Sequence, residues 1–207
     1  ESINYGTGEN TLSPIWYDLL LYLQRTYGIP QALTTNGSLA PMLEDNPVRE
    51  TILASLAEVD VSLDYADPQK HCEMRRHKKA YQWALETIKL CRERGIQTTI
   101  VVLGIDETLE IDNLRGLFDL AQRLGTFVRI NIYRPNHRQR IKPLSYRALQ
   151  GAVSFILENH SVVSLGDRLL SALITGNAVP DMTGRTSLRI LPNGSITPST
   201  YLVSPDW

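Results

Sequence analysis

The chain has 207 residues, 43% of them hydrophobic, enough to bury the core of a compact domain and far from the composition of a disordered segment. Lys and Arg number 21 against 22 Asp and Glu, a formal charge of −1, so the overall balance argues against nucleic acid or a membrane surface as partner. Apolar runs such as Leu19 to Leu23 are too short to span a bilayer and no secretory leader pattern opens the chain, so a cytoplasmic location is expected. The two cysteines, Cys72 and Cys91, have neither CxxC spacing nor the numbers for a disulfide framework and read as reduced thiols; the four histidines show no metal-binding spacing.

Short β-prone runs alternate with amphipathic helical stretches. Ile3 to Tyr5 leads into a glycine turn, after which Ser13 caps a helix with Pro14 at its first position, where a missing N–H costs nothing. Gln31 to Thr34 reads as a strand ended by Asn36-Gly37, and Arg49 to Leu56 as a helix. Glu58 to Leu63 (EVDVSL) alternates as a strand, and Ala80, Ala84, Ile88 and Cys91 share one face of a helix that stops at Gly95. The β-branched run Thr98 to Leu103, a helix over Leu109 to Leu124, the strand Phe127 to Ile132 (FVRINI) and a helix over Ser145 to Leu157 complete the regular part.

Successive strand ends fall about 30 to 40 residues apart, the length of one βα unit. The expected fold is therefore α/β: a partial parallel (β/α) barrel of about five βα units over residues 1–160, its post-strand loops gathered at one rim where ligands of such folds bind. Beyond residue 160 the rhythm breaks. Leu188 to Thr197, with the turn Asn193-Gly194, reads as a β-hairpin within an appended segment, residues 161–207.

The loop Gly6-Thr7-Gly8-Glu9 is the first candidate site. The third glycine of a dinucleotide fingerprint is replaced by Thr11 and the P-loop lysine is absent, which argues against a phosphate. Glycines beside a carboxylate suit a cation such as an ammonium, with backbone able to approach closely and Glu9 supplying charge. Further candidates follow in order: Thr34-Thr35-Asn36-Gly37 after the second strand, Ser62-Leu63-Asp64 at the end of the third, then His71 and Arg75.

Taken together, "GTGENTLSP", "LTTNGSL", "VSLDYADPQKHCEMR" and "VRINIYRP" resemble the core of radical S-adenosylmethionine (radical SAM) enzymes over residues 3–136. There the usual patterns are GGE, TNG, an SLD strand with an HDxxR-like segment, and a polar residue on the sixth strand. The resemblance implies that S-adenosylmethionine is the cofactor, with its methionyl ammonium held by Gly6, Gly8 and Glu9 and its ribose and methionyl carboxylate near Ser62 and Arg75. Arg suits a carboxylate because its fork donates two parallel hydrogen bonds. Asn36, Asp64 and Asn131 are further cofactor-binding candidates, although these residue types also occur for turn-making reasons.

The resemblance also implies a 4Fe–4S cluster on a CxxxCxxC loop, and one-electron cleavage of the cofactor to methionine and a 5′-deoxyadenosyl radical that abstracts hydrogen from substrate. An electron-donor protein would serve as a partner. No CxxxCxxC lies in this sequence. The likeness starts at the family's second strand, so the missing unit is expected upstream of Glu1, and the 207-residue chain alone is expected to be inactive. "GRTSLRILPNGSITPSTYL" is similar to the opening of a SPASM or twitch extension, with Ser199 in place of the cysteine that would ligate an auxiliary cluster.

Two basic clusters approach the same rim: Arg75, Arg76, Lys78 and Lys79, then Arg134, His137, Arg138, Arg140 and Lys142. They suggest an anionic or peptide substrate there, against the plainer reading of solvated loops and helix ends. Two rival functions stand beside the radical enzyme. One is a non-catalytic α/β ligand- or partner-binding relative that lost the cluster; the other is an ordinary barrel enzyme using Glu9 and Asp64 as acid and base.

Overall fold

The computed structural model describes residues 2–6, 8–134, 142–178, 180, 187–191 and 193–198. Five strands, β1 (Ile3–Tyr5), β2 (Gln31–Thr35), β3 (Leu56–Ser62), β4 (Gln97–Gly104) and β5 (Phe127–Ile132), pair in sequential order, every pair parallel. This is the partial β/α barrel expected from the strand spacing. The third strand starts two residues earlier than its alternation suggests, because Leu56 pairs with Gln31 before a register shift brings Glu58 opposite Ala32.

Helices α1 (Pro14–Tyr27), α2 (Leu39–Leu43), α3 (Arg49–Ala54), α4 (Pro68–Arg75), α5 (Ala80–Glu93), α6 (Ile111–Leu124), α7 (Tyr146–Glu158) and α8 (Arg168–Thr175) follow the strands. Ser13 occupies the N-cap of α1, yet its hydroxyl makes no capping bond; Pro14 and the extended backbone of Ser13 start the helix. Ser145 does cap α7, its oxygen accepting the Ala148 N–H at 3.2 Å. The sixth helix begins at Ile111 rather than Leu109, since Glu110 is still extended.

Two helices have their starts fixed by an aspartate, and the first, α4, carries little apolar signal in the sequence. Of α4 only His71 is buried; its start is fixed by Asp67, whose carboxylate accepts the Lys70 N–H at 2.8 Å, and by Pro68. Asp167 caps α8 in the same way through Leu169 N–H at 3.0 Å and Leu170 N–H at 3.3 Å. Its other oxygen accepts the Ile132 N–H at 3.2 Å and pairs with Arg134 at 3.1 Å, which ties α8 to the end of β5. Just before α8, Val163 forms a parallel bridge to Val128, and Ser164 N–H donates to the Val128 carbonyl at 2.9 Å. The chain thus continues the sheet edge past residue 160.

Period-2 alternation gives the sheet two different faces. Leu33, Val59, Val61, Ile100, Val102, Val128 and Ile130 join one buried cluster with Ala84, Ile88, Leu114, Leu117, Phe118 and Phe155 from the helices. The opposite, inward face carries Thr34, Glu58, Asp60, Ser62, Thr99, Arg129 and Asn131 together with the apolar Val101, Leu103 and Phe127. Inward-facing polar side chains among these give a ligand in the barrel lumen groups to meet.

Near the C-terminus, β6 (Arg189–Ile190) and β7 (Ile196–Thr197) form the expected antiparallel hairpin, closed by Leu191 N–H to the Ser195 carbonyl at 2.8 Å. Ser199 and the basic residues His137, Arg138 and Arg140 lie outside the described residues. Among the described residues no helix is long and apolar enough to cross a membrane.

Candidate functional site

Parallel strands in sequential order bring the loops after β1, β2 and β3 side by side. Gly8 adopts a left-handed φ of 70°, and Glu9 follows in extended conformation. The Glu9 carboxylate then reaches across to the next loop: Oε1 accepts the Thr11 hydroxyl at 2.6 Å and the Thr35 hydroxyl at 2.9 Å, while Oε2 accepts the Asn36 N–H at 2.5 Å. A carboxylate offers about four acceptor positions, so these three bonds hold it and leave capacity for one more donor. Gly6 lies against this wall; a Cβ there would sit 3.2 Å from Asn4 Oδ1 and 3.8 Å from Thr34 Oγ1.

The Asn36 loop is fixed from below. Gly37 has φ 101° and approaches α5 so closely that a Cβ would lie 2.6 Å from the Ala84 nitrogen. Thr87 donates its hydroxyl to the Gly37 carbonyl at 2.7 Å and accepts the Ala40 N–H at 3.1 Å. Asn36 Oδ1 is occupied by the Ser38 N–H at 3.0 Å, so the side chain of Asn36 shapes its own turn while its backbone serves Glu9. Thr11 and Thr35 lie inside the GTGENTLSP and LTTNGSL stretches, whereas Thr87, on α5, carries no motif signal.

Asp64 and Arg75 form a second, adjacent constellation. Asp64 is fully buried; Oδ1 accepts the Leu103 N–H at 2.9 Å and Oδ2 accepts Arg75 Nη2 at 2.5 Å. Its carbonyl accepts Asn113 Nδ2 at 2.9 Å, and its N–H donates to His71 Nδ1 at 3.2 Å. Every polar group of Asp64 is therefore engaged within the protein, which makes it the holder of Arg75. Arg75 keeps a buried Nε–H with no acceptor among the described residues.

His71 is wholly buried, and burial, reinforced by the Arg75 charge against the opposing pull of Asp64, pushes its pKa down to about 4. It is the neutral tautomer with the proton on Nε2, because Nδ1 accepts from Asp64.

Ser62 ends β3 half-buried, one position beyond the Thr35–Val61 pair, and so adjoins Asn36 at the neighbouring strand end. Asn131 lies apart from these residues, exposed on β5 opposite Leu103. The structure thus joins Glu9 to Asn36 and Asp64 to Arg75 by direct bonds, sets Gly6 and Ser62 beside them, and leaves Asn131 at the far edge. Of the basic rim, Arg75 and Arg134 are committed to Asp64 and Asp167.

The residues suit a zwitterionic ligand carrying both ammonium and carboxylate. They do not suit an iron–sulfur cluster on this chain. Cys91 is buried with its thiol pushed up to about 12 by desolvation, and Cys72 Sγ lies 3.3 Å from the Lys78 carbonyl. Among the described residues no group of three His, Cys, Asp or Glu side chains could hold a metal ion.

Comparison with known proteins gives a concordant result. The sequence pattern of the Radical SAM superfamily matches residues 1–118, more than half of the chain. No curated protein sequence matches it. The crystal structure of Streptococcus suis SuiB bound to S-adenosylmethionine is similar to all of this chain at TM-score 0.70 and 14% identity, over 51% of its own length. SuiB bound to precursor peptide SuiA aligns with 96% of this chain and 48% of its own, at TM-score 0.68 and 15% identity. A domain of pyruvate-formate lyase-activating enzyme from Bacteroides vulgatus matches 80% of this chain and 98% of its own at TM-score 0.61 and 14% identity. The chain spans about half the length of SuiB, and these likenesses, all of low identity, concern the fold. With more than half its sequence matched by the family pattern and its sheet built as a partial barrel of that type, the chain belongs to the Radical SAM superfamily.

Proposed function

We propose that this chain is the cofactor-orienting part of a radical SAM enzyme acting on a peptide. Gly6, Gly8 and Glu9 would receive the methionyl ammonium of S-adenosylmethionine, Arg75 its carboxylate, and Ser62 with Asn36 the ribose; Asp64 serves by holding Arg75. One observation carries this reading: a carboxylate bolted to the rim by Thr11, Thr35 and the Asn36 N–H, with an acceptor position to spare. When bound and reduced by one electron, S-adenosylmethionine supplies a 5′-deoxyadenosyl radical for hydrogen abstraction. The ligands of the reducing cluster are not among this chain's residues, and the chain alone is inactive on this reading.

The parts the chain does contribute are electrostatic and positional. Glu9 balances the ammonium charge at a fixed place, and Arg75, already pinned at Nη2, keeps a buried Nε–H that lacks an acceptor among the described residues. The peptide assignment is supported by the fold shared with SuiB, whose structure with precursor peptide SuiA is known, and by the basic rim.

Calorimetric titration with S-adenosylmethionine tests the site. Glu9→Ala and Arg75→Ala should each weaken binding about tenfold or more, the worth of one charge-assisted hydrogen bond. Equal affinities in the three proteins would remove the proposed site. Iron and sulfide reconstitution that gave cluster absorbance and 5′-deoxyadenosine from the 207-residue chain would overturn the claim that it is inactive alone. A natural reading frame lacking CxxxCxxC would favour the non-catalytic relative.

A further inference from the structure

Beneath the rim, the inward face of the sheet holds polar groups that the cofactor reading does not use. Asp60 on β3 lies two residues below Ser62, about 7 Å along the strand. Its side chain is 3% exposed, and Oδ2 is clasped by Arg129 Nη2 from β5, with the Thr34 hydroxyl at 3.5 Å. Oδ1 is buried and has no hydrogen-bond partner among the described residues. Thr99, the register partner of Asp60 on β4, is 1% exposed and its hydroxyl is likewise unpartnered.

Buried polar atoms without partners are uncommon, because each forfeits its hydration for nothing in return. Two of them side by side on adjacent strands, facing the same way, are a stronger signal than either alone. Glu58 stands one row further down the same wall, half-buried, its carboxyl pushed up by burial and by Asp60 against the opposing effect of Arg129. The guanidinium bonds Asp60, and Glu58 lies near enough to feel its charge. The Arg129 stem passes close to Gly166, where a Cβ would lie 2.3 Å from its Cδ, so the absence of a side chain at 166 leaves room for it. Around this cluster the face is open, since Phe127 and Asn131 are exposed and Ser62 and Thr34 only half-buried.

We infer that Asp60, Thr99 and Glu58 form a binding site in the barrel lumen for a primary ammonium group of the substrate. An ammonium carries three N–H donors and no acceptor, matching the two unpartnered oxygens of Asp60 and Thr99 with the Glu58 carboxylate as a third acceptor on the same wall. The excess of negative over positive charge selects a cation, and Arg129 holds Asp60 in place while leaving Oδ1 free to accept. The inference rests on the radical SAM reading only in taking the lumen below the cofactor as the substrate side.

Propylammonium chloride is the probe, titrated into the isotope-labelled chain while the backbone amide signals are followed. Saturating shifts centred on Asp60, Thr99 and Arg129 are expected. Sodium chloride at equal ionic strength and 1-propanol should not reproduce them. Asp60→Asn should weaken binding about tenfold, the loss of one charge-assisted bond. Thr99→Val, which keeps the shape and leaves the ion pair intact, should weaken it severalfold and guards against a folding defect in the first variant. Shifts reproduced by sodium chloride, shifts centred elsewhere, or undiminished affinity in both variants would overturn the inference. S-adenosylmethionine is titrated separately. Propylammonium binding that depends on Asp60 and Thr99 supports the lumen site whether or not the cofactor binds; cofactor binding with no propylammonium response overturns the lumen site alone.

Discussion

Asp64→Asn is the most informative single change, because it keeps the shape of the side chain and removes only its charge. Asp64 is fully buried, Oδ2 lies 2.5 Å from Arg75 Nη2, and the Arg75 side chain is 30% exposed. Removing one partner of a fully buried pair costs about 3–5 kcal/mol, since the other charge is left uncompensated. Partial exposure lets water take up some of the Arg75 charge, so about 2–3 kcal/mol is expected here. The Leu103 N–H can still be accepted by the amide oxygen, so that bond survives. For a chain of this length the cost corresponds to a melting temperature lower by roughly 5–10 °C, read by circular dichroism. A double-mutant cycle with Arg75→Met isolates the pair: the double variant should be more stable than the sum of the two losses allows, by about 1–2 kcal/mol. A shift below about 2 °C for Asp64→Asn, or strict additivity in the cycle, would refute the claim that Asp64 is the holder of Arg75.

Three further outcomes follow from the same contacts. His71 has a folded pKa of about 4 against 6.5, so between those values the unfolded chain binds a proton that the folded chain refuses, and stability falls as pH drops through the window. The full loss is up to about 3 kcal/mol; urea unfolding at several pH values should show that slope, and His71→Asn should flatten it, whereas an unchanged slope would mean another group is responsible. Gly37→Ala forces a side chain into φ 101° and within 2.6 Å of the Ala84 nitrogen, which should cost at least about 2 kcal/mol and weaken S-adenosylmethionine binding by displacing Asn36. A variant as stable as wild type in thermal unfolding would contradict that geometry. Asp167→Ala removes the cap of α8 together with the Arg134 pair, so the amide hydrogens of Leu169 and Leu170 should exchange faster with a stability loss of about 1–2 kcal/mol; unchanged exchange would show that α8 is held by packing alone.

The strands were legible because their physics is local. Ile100 to Val102, and Val128 and Ile130, are β-branched in runs bounded by turn residues and spaced at one βα unit, and the sheet order follows from short right-handed connections. Helix α4 was harder to see, since only His71 is buried along it and no apolar stripe announces it. The Asp67-Pro68 pair that starts it is the same kind of signal that Ser13-Pro14 gives for α1. The four candidate loops and their order along the rim were also readable.

What the loops do to one another was not. Glu9 and Asn36 are 27 positions apart, and their bond depends on parallel register, which a hydropathy pattern does not carry. Asp60 and Arg129 show a different blind spot. In EVDVSL and FVRINI the alternation marks a polar side without saying which polar residues meet one another; in the curved sheet that side is the lumen, where Asp60 and Arg129 pair across β4.

The two ends of the proposed cofactor site are held by different devices, and the difference has consequences for binding. At Glu9 the carboxylate is the tether: it gathers the Thr11 and Thr35 hydroxyls and the Asn36 N–H, so two loops converge on the charge that would meet the ammonium. At Arg75 the functional cation is instead the tethered group, gripped by a buried Asp64 that is itself engaged by Leu103, His71 and Asn113. Both arrangements fix a charged side chain before ligand arrives, which lowers the ordering cost that binding would otherwise incur. On that proposal the motif residues would not act as equals. Glu9 and Arg75 are the groups with capacity left for a ligand, whereas Asp64, and the Asn36 side chain that closes its own turn, use theirs to keep those two in place. The spacing of the motif along the chain therefore encodes a scaffold as much as a contact set, and substitutions at the holders should act on affinity only through the position of the residues they hold.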